Sequence, residues 1–513
     1  MKIIKDIKVN LGIGLINKKS RITLMILLIS FIGLSSCEEF LEEDPKSFAA
    51  PELLIESEAG ADQMLNGVYN SMYRYGWRYY LMVHELTSDG LTFPQTGFID
   101  RIELDEQTYT SQNLNIDRLW EGNVYGINRT NIIIDHITPE ILERSYGAKA
   151  MAEARFLRAW FYFIQVRSFG KVPLITEYFE SDFFPPNAEI SDIYEVIVDD
   201  LLYAEQHLPN WRNLPGSEAG RATSGAAKSL LAWVYLTRAT ENGAAKSDDY
   251  ANAAAKAKEV IDNEGYELWD DYGDAFLASN KNGKEDIFSH QYLAGAPNPL
   301  NQRISMDFSP GGTEQYGIEN GWNMFGLTNA LYSLYHEDDE RRRYMWPGYV
   351  TDLKTGDPLI FEGDIAWLRN PNDIFCLKYR DLENESKNMN GVNFPYIRYS
   401  NVLLIHAEAV LESLGAVPDA YLGLNKVRER SDLPALNGLG SDDLRQAIRD
   451  ERFKEFVGEG IRWFDLKRWG LLEQNVEAAK PGVDVVLPKA LYFPIPQQEL
   501  DANPNLEQNP GYQ

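Results

Sequence analysis

AKAMAEARFLRAWFYFIQVRSFG, residues 148–170, carries the clearest helical pattern in the chain. Its apolar residues recur at intervals of four, three, four and three, which places them on one face of an α-helix. They are Ala152, Phe156, Ala159, Phe163 and Val166. Gly170 ends the predicted helix, and Pro173 prevents the chain from resuming it. The stretch therefore predicts a long helix with a buried face.

Three more segments before residue 267 have a helical texture, and in the later ones small alanines alternate with bulky aromatic residues. They cover residues 190–209, 225–239 and 250–266. Ser191 is the expected N-cap of the first, because its hydroxyl can accept a backbone hydrogen bond there. Helix pairs of this kind resemble degenerate tetratricopeptide repeats, although the period is irregular. We therefore expect a mainly α-helical fold, with tetratricopeptide-like helix pairs as a scaffold.

The texture changes after residue 266. Glycine, proline, asparagine and aromatic residues cluster at 293–326, which predicts long loops and short strands. Loops longer than about 12–15 residues are usually functional or disordered, and the aromatic content argues against disorder. Helical texture returns at 395–415 and 444–470. We expect a helical N-terminal region at 51–266 and a C-terminal region at 267–513 that carries loops and short strands.

The first 36 residues have the pattern of a signal peptide. A basic stretch at 2–21 precedes the apolar run ITLMILLISFIGL at 22–34, which is 13 residues long. A membrane-spanning helix needs about 20 such residues, so this run is too short to cross a bilayer. Cys37, one of two cysteines in the chain, completes the sequence Leu-Ser-Ser-Cys, which resembles the lipobox of bacterial lipoproteins. We therefore predict that Cys37 is acylated and anchors the protein to membrane lipid.

Residues 37–50 are predicted to form an acidic tether. Two interpretations of its acidic residues stay open: a solvated linker, or the acid-rich signal that sends some lipoproteins to the outer face of the outer membrane. An ordinary secretory signal, with Cys37 nearby by chance, is the alternative to the lipobox. The second cysteine, Cys376, lies in DIFCLKYR and is expected to be buried in a strand without a reactive role.

Charge and motif content argue against several classes of function. The formal net charge of −28 makes nucleic acid binding unlikely, because phosphates repel so acidic a chain. The six histidines form none of the patterns HxH, HxxH or HExxH, and neither a GxSxG elbow nor a phosphate-binding loop occurs. The acidic runs at 269–276 and 336–340 lack EF-hand spacing, which favours solvated acidic surface over a calcium site. No cofactor and no metal site are predicted.

Six stretches, spread over nearly the whole chain, occur together in one known family. They are LNGVYNSMY at 65–73, LWEGNVYGINRTNIIID at 119–135, EARFLRAWFYFIQVRSFGKVPLI at 153–175, RYSNVLLIHAEAVL at 398–411, ERFKEFVGEGIRWFDLKRWG at 451–470 and LYFPIPQQELDANPNLEQNPGYQ at 491–513. Each is weak alone, but in this order and spacing they resemble the SusD/RagB family of outer-membrane nutrient-binding lipoproteins. The C-terminal ending is the most specific of them.

The resemblance implies a non-enzymatic function at the cell surface. A protein of this family captures a glycan, or in some branches a peptide, and delivers it to a SusC-type TonB-dependent outer-membrane transporter. The acylated Cys37 would hold it on the outer membrane, facing the extracellular side. Two alternatives stay open: a surface glycosidase that uses two of the many carboxylates, and a scaffold that binds only other proteins.

Sugar binding needs exposed aromatic rings, because the apolar face of a pyranose stacks on them while polar side chains bind its hydroxyls. Two loops qualify, 88–100 and 290–326. The candidate ligand-binding residues are Phe93, Phe98, Tyr292, Phe308, Tyr316 and Trp322, with Asp89, Asn320 and Asn323 as polar partners. Charged and tryptophan residues on helical faces are instead expected to be structural. These are Arg155, Arg158, Arg462, Asp465 and Arg468, and Trp120, Trp160, Trp233, Trp463 and Trp469.

Overall fold

The computed structural model describes residues 50–178, 184–295, 303–309, 321–346, 349–350, 374–379 and 390–512. Its helices are α1 Pro51–Leu54, α2 Glu58–Leu86, α3 Ile99–Asp105, α4 Leu114–His136, α5 Pro139–Leu142, α6 Ser145–Phe169, α7 Ile190–His207, α8 Ser224–Arg238, α9 Asp249–Asn263, α10 Ile304–Phe308, α11 Asn329–Tyr332, α12 Tyr399–Leu414, α13 Pro418–Arg430, α14 Ser441–Glu455, α15 Arg462–Trp469, α16 Leu472–Ala479 and α17 Gln497–Ala502. Its strands are β1 Leu91–Thr92, β2 Asp286–His290, β3 Gly326–Leu327, β4 Tyr344–Trp346, β5 Tyr349–Val350, β6 Phe375–Cys376 and β7 Phe394–Arg398. The prediction of a mainly α-helical fold is confirmed.

The helices of the N-terminal half pack in chain order. Helix α2 packs on α4, α4 on α6, α6 on α7, α7 on α8 and α8 on α9. The array continues into the C-terminal half, where α12 packs on both α9 and α13. Residues from Pro51 onward form one compact unit. This sequence of neighbouring helices is the scaffold that the helical texture predicts.

The helix predicted at 148–170 forms as α6, and Gly170 ends it with a φ of 70°. A side chain at Gly170 would meet the ring of Tyr492, since a Cβ there would lie 2.9 Å from it. The segments predicted at 190–209, 225–239 and 250–266 form as α7, α8 and α9. The N-cap prediction is wrong, because Glu189 precedes α7 and Ser191 lies inside its first turn.

Two other predicted helices are wrong in part. The first four residues of 395–415 belong to β7, which pairs antiparallel with β2 before α12 begins. The segment 444–470 forms two helices, α14 and α15, because Gly458 and Gly460 between them have φ values of 70° and 74°. A Cβ at Gly460 would lie 2.3 Å from the ring of Tyr80, so this turn leaves no room for a side chain.

The charged residues assigned a structural role do join helices. Arg158 on α6 donates to Asp200 on α7 at 2.7 Å, and Arg468 on α15 donates to Glu408 on α12 at 2.6 Å. Asp465 accepts from Arg452 and Arg468 at 2.8 and 2.9 Å. Arg155 lies farther from its partner, with its Nε 3.8 Å from Asp200. The structural interpretation of these residues is confirmed.

The aromatic core contains four of the five tryptophans expected there: Trp120, Trp160, Trp233 and Trp463. Trp469 is half-buried, and its indole N–H donates to Glu408 at 2.7 Å. Cys376 is fully buried in β6, as expected, and burial raises the pKa of its thiol to about 11.

Among the residues that the structure describes, no helix combines the length and the apolar character needed to cross a membrane. The predicted signal peptide, Cys37 and nearly all of the acidic tether lie outside these residues.

Candidate functional site

A two-residue strand pair brings the two predicted ligand loops together. β1 pairs antiparallel with β3, with Leu91 opposite Leu327 and Thr92 opposite Gly326. Beside the pair, the side chain of Gln95 donates to the backbone carbonyls of Trp322 and Asn323, the second at 3.1 Å. The first loop therefore lies directly against residues 321–327, more than 200 positions later in the chain.

Helix α10 also binds the segment 321–324 through backbone hydrogen bonds. The backbone N–H of Trp322 donates to Met306 at 2.6 Å, and that of Met324 donates to Asp307 at 2.9 Å. Glycine is required at 321, because a Cβ there would lie 1.7 Å from the carbonyl oxygen of Ser309. The backbone of 321–324 is therefore hydrogen-bonded to α10 on both sides of Asn323.

A cavity of about 310 Å³ opens where these elements meet. Its lining residues are Arg78, Gln95, Phe98, Arg101, Gly321, Trp322, Asn323 and Met324. Phe98 is 43% exposed and Trp322 is half-buried, so both rings can be reached from solvent. The volume lies at the lower end of the range of about 300–1,000 Å³ usual for small-molecule sites. Aromatic faces beside amide and guanidinium groups are the combination that sugar recognition needs.

Three arginines surround the two rings. The guanidinium carbon of Arg78 lies 5.5 Å from the centre of Trp322, and that of Arg303 lies 5.1 Å from it. Arg101 lies 4.0 Å above Phe98. Arg78 donates two hydrogen bonds of 2.8 Å to Asp307, whose pKa is raised by burial against the opposing effect of Arg78. Burial lowers the pKa of Arg101.

The structure brings Phe98, Trp322 and Asn323 together at this cavity, as the sequence suggested. Tyr316 and Asn320 lie outside the described residues. The side chain of Asn323 is itself buried, although the residue lines the cavity and has a φ of 50°.

Phe93, Phe308 and Tyr292 are buried, which contradicts the expectation that their rings are exposed. Phe93 lies behind Phe98, with the ring centres 6.2 Å apart. Phe308 stacks on Phe325 at 4.8 Å in the core. The Tyr292 hydroxyl bonds His290 Nδ1 at 3.0 Å, so its polar end is satisfied internally.

Asp89 is buried as well, and it is not among the described residues that line the cavity. Its carboxylate accepts two hydrogen bonds of 2.7 Å from Arg462 on α15. Its backbone carbonyl accepts a 2.6 Å bond from the hydroxyl of Thr328, which follows β3. Asp89 therefore fastens the strand pair to the scaffold.

Four lining residues were not predicted from the sequence: Arg78, Gln95, Arg101 and Met324. The two arginines lie on helices, whereas the predicted site residues lie in loops. Two signals could have found them. Arg101 follows Phe98 by one helical turn, and Arg78 follows Gly76, which interrupts α2 with a φ of 54°.

A second cavity, of about 530 Å³, is larger but fits sugar stacking less well. Thr92, Asp105, Asn329 and Lys480 are among its lining residues. Among the described residues that line it, Phe93 alone is aromatic, and its side chain is buried. We therefore place the candidate site at the smaller cavity, where two rings are accessible.

The two acidic runs have partners within the protein. In the first, Asp271 accepts from the backbone of Gly273 at 2.7 Å and from the hydroxyl of Tyr344 at 2.6 Å. In the second, Asp339 accepts two hydrogen bonds of 2.8 Å from Arg341. Over the described ranges, no group of three or more His, Cys, Asp or Glu side chains is placed to hold a metal ion.

Comparison with known proteins places this architecture in a family. A family model described as "Starch-binding associating with outer membrane" matches residues 39–236, and the model of the SusD family matches residues 345–512. SusD-like protein P2 of Formosa agariphila is 29% identical over 96% of this chain and 100% of its own length.

Solved structures show the same fold. A SusD homologue from Bacteroides thetaiotaomicron superposes with a TM-score of 0.79 at 23% identity, covering 90% of this chain and 98% of its own. A laminarin-binding SusD-like protein superposes with a TM-score of 0.72 at 26% identity, covering 88% and 99%. The two matched regions, the full-length relative and the shared architecture agree with the motifs, and the chain belongs to the SusD/RagB family.

Proposed function

We propose that this protein is a lipid-anchored, outer-membrane glycan-binding protein that captures extracellular oligosaccharide or polysaccharide and delivers it to a SusC-type TonB-dependent transporter. The observation that carries the proposal is the cavity between Phe98 and Trp322, where two accessible rings lie beside polar side chains. The relatives support it: one solved relative binds laminarin, and one matching family model is described as starch-binding and associated with the outer membrane.

Binding follows from the geometry of the cavity. The apolar face of a sugar ring stacks on Trp322 or Phe98 and displaces water from both surfaces. Asn323 lines the cavity, and the guanidinium groups of the three arginines lie 4.0–5.5 Å from the ring centres, within reach of the hydroxyls of a sugar bound there. Because the strand pair and α10 fix the backbone of 321–324, little conformational entropy is lost when the ligand binds.

The cavity is suited to binding without turnover. A glycosidase places two carboxyl groups on either side of the scissile bond, about 5–10 Å apart. Among the described residues that line this cavity there is no carboxylate, and the nearby Asp307 is held by Arg78. The bound glycan would therefore leave the site chemically unchanged and pass to the transporter.

Anchoring is proposed to occur through Cys37. Acyl chains on this residue would hold the compact unit at the membrane through the tether at 37–50. Growth with a radiolabelled fatty acid should label the wild-type protein and leave the Cys37→Ser variant unlabelled. Equal labelling of both would contradict the proposal.

The binding function is tested by isothermal titration with plant, algal, fungal and host glycans and a peptide digest, with product analysis of each mixture. We expect binding of at least one glycan without turnover, lost in Trp322→Ala and Phe98→Ala. Tyr178→Ala is the matched control, because Tyr178 is also 43% exposed and lies outside the cavity lining. Turnover of a glycan would favour a glycosidase, and binding of peptides alone would favour the peptide-capturing alternative.

A further inference from the structure

We infer that the ligand of the Phe98–Trp322 cavity is an acidic glycan, one that carries carboxylate or sulfate ester groups. This inference rests on the proposed function and specifies its substrate class. It depends on the arginines around the two rings, which come from three separate parts of the chain: α2, α3 and the segment before α10. Their concentration is unusual in a chain with 49 basic and 77 acidic residues.

The charged residues that line the cavity, within the described part of the chain, are Arg78 and Arg101. Arg78 already has a carboxylate partner, since Asp307 accepts both of its 2.8 Å hydrogen bonds. The net charge of this ion pair is close to zero, so it attracts an anion only weakly. The attraction for an anion must therefore come from Arg101 and Arg303.

Arg101 is partly buried, and its contacts with the protein replace only part of the hydrogen bonding that its guanidinium would have in water. Its Nε is buried and has no hydrogen-bond partner among the described residues. Its Nη1 lies 3.8 Å from the sulfur of Met324, which is a weak acceptor. Stacking 4.0 Å above Phe98 favours the cation, but it leaves the N–H groups without strong acceptors. An anionic group on the ligand would supply them.

Arg303 adds a second positive charge beside the Trp322 ring. It is exposed, and its guanidinium carbon lies 5.1 Å from the centre of the Trp322 ring. No ion pair joins it to a carboxylate within the ranges that the structure describes. A sugar stacked on Trp322 would present its ring substituents to this guanidinium, whose planar fork binds carboxylate and sulfate oxygens in pairs.

The net charge of the whole protein does not oppose this assignment. At physiological ionic strength the field of a surface charge is screened beyond roughly 8 Å, so the groups next to the ligand decide its binding. A hydrogen bond between a guanidinium group and an anion is roughly twice as strong as one between neutral groups. An acidic glycan is therefore expected to bind about tenfold or more tightly than its neutral counterpart.

The test uses the full chain in detergent and pairs of glycans that differ in charge. One pair is oligogalacturonate and its methyl ester, and the other is a carrageenan oligosaccharide and its desulfated form; neutral laminarin oligosaccharide is added. We expect one acidic member to bind at least about tenfold more tightly than its neutral partner. The preference should shrink when salt rises from about 0.1 to 1 M, because the Debye length falls from roughly 10 to 3 Å.

Variants locate the source of the preference. Arg101→Gln and Arg303→Gln should each reduce it severalfold, while Arg101→Lys, which keeps the charge, should retain part of it. Arg212→Gln is the matched control, because Arg212 lies over Trp211 at 5.5 Å and outside the cavity lining. Melting curves of every variant show whether a loss of binding reflects unfolding.

The outcomes separate this inference from the proposed function. Equal or tighter binding of the neutral partners, lost in Trp322→Ala, would overturn the acidic assignment and leave glycan capture standing. A preference for acidic glycans that survives both glutamine substitutions would place the anion elsewhere and also overturn it. If neither acidic nor neutral glycans bind, the proposed function fails together with this inference.

Discussion

Replacing Asp89 by asparagine separates the two roles that the sequence and the structure assign to this residue. The substitution preserves the size of the side chain and removes its charge. Arg462 then stays in place, 8% exposed, without the carboxylate that accepts its two 2.7 Å hydrogen bonds. Breaking a buried ion pair by removing one partner costs about 3–5 kcal/mol, because the remaining charge is uncompensated. We expect the free energy of unfolding to fall by this amount.

The loss is measured by urea unfolding of the wild-type and variant proteins, with two matched comparisons. Glu412→Gln breaks a more exposed pair, in which Arg445 donates to Glu412 at 2.5 and 3.2 Å, and should cost less than about 1 kcal/mol. The double variant Asp89→Asn/Arg462→Leu should recover part of the loss, because it removes the stranded charge as well.

The same variant decides whether Asp89 contacts ligand. Its carbonyl accepts the 2.6 Å bond from Thr328, and its carboxylate fastens this loop to α15, so the strand pair should loosen. A stability loss of less than about 1 kcal/mol, equal to that of Glu412→Gln, would refute the anchoring role. Unchanged stability together with lost glycan binding would restore the ligand-contact role.

Three further predictions concern buried groups. Phe93→Ala should cost about 3–5 kcal/mol of stability, whereas Phe98→Ala should stay within about 1 kcal/mol and lose binding, as denaturation and titration will show; equal costs would contradict the assigned burial. Burial raises the pKa of Glu85 from 4.5 to about 8, so the folded state keeps a proton that the unfolded state releases. This group should therefore lower the stability as pH rises from about 5 to 8, by up to about 1.4 kcal/mol per pH unit, and Glu85→Gln should remove that part of the slope; an unchanged slope would contradict it. In a Cys37→Ser variant, a thiol reagent at pH 8 should modify Cys376 only after unfolding, and rapid labelling of the folded protein would contradict its burial.

Local periodicity explains why much of the scaffold could be predicted from the sequence. Helix α6 buries nearly its whole surface, and its stripe of aromatic and small residues determines it without knowledge of any partner. The segment 444–470 shows the limit of this argument. Its apolar spacing continues through Gly458 and Gly460, but the chain turns there with positive φ values, and the rings of Phe308 and Tyr80 leave room only for glycine. These contacts join residues more than 100 positions apart.

The candidate site could be predicted only in part for a related reason. Aromatic content predicted Phe98 and Trp322, which line the candidate cavity, because both loops are aromatic-rich and lie outside the long helices. Phe93 lies against Phe98, and Asp89 pairs with Arg462. Nothing in the sequence indicates that Arg462 is the partner of Asp89. The pairing of β1 with β3 involves two residues on each strand, too few for a periodic signal. Arg78 and Arg101 reach the cavity from helices.

Glycan binding at the Phe98–Trp322 cavity is tested most directly by a crystal structure of the protein bound to the tightest glycan from the titrations. We predict a sugar ring stacked on Trp322 or Phe98 in the 310 Å³ cavity, with its polar edge within hydrogen-bond distance of Asn323, Arg101 or Arg303. A glycan seated in the 530 Å³ cavity beside Lys480, with the rings of Phe98 and Trp322 free, would contradict the account.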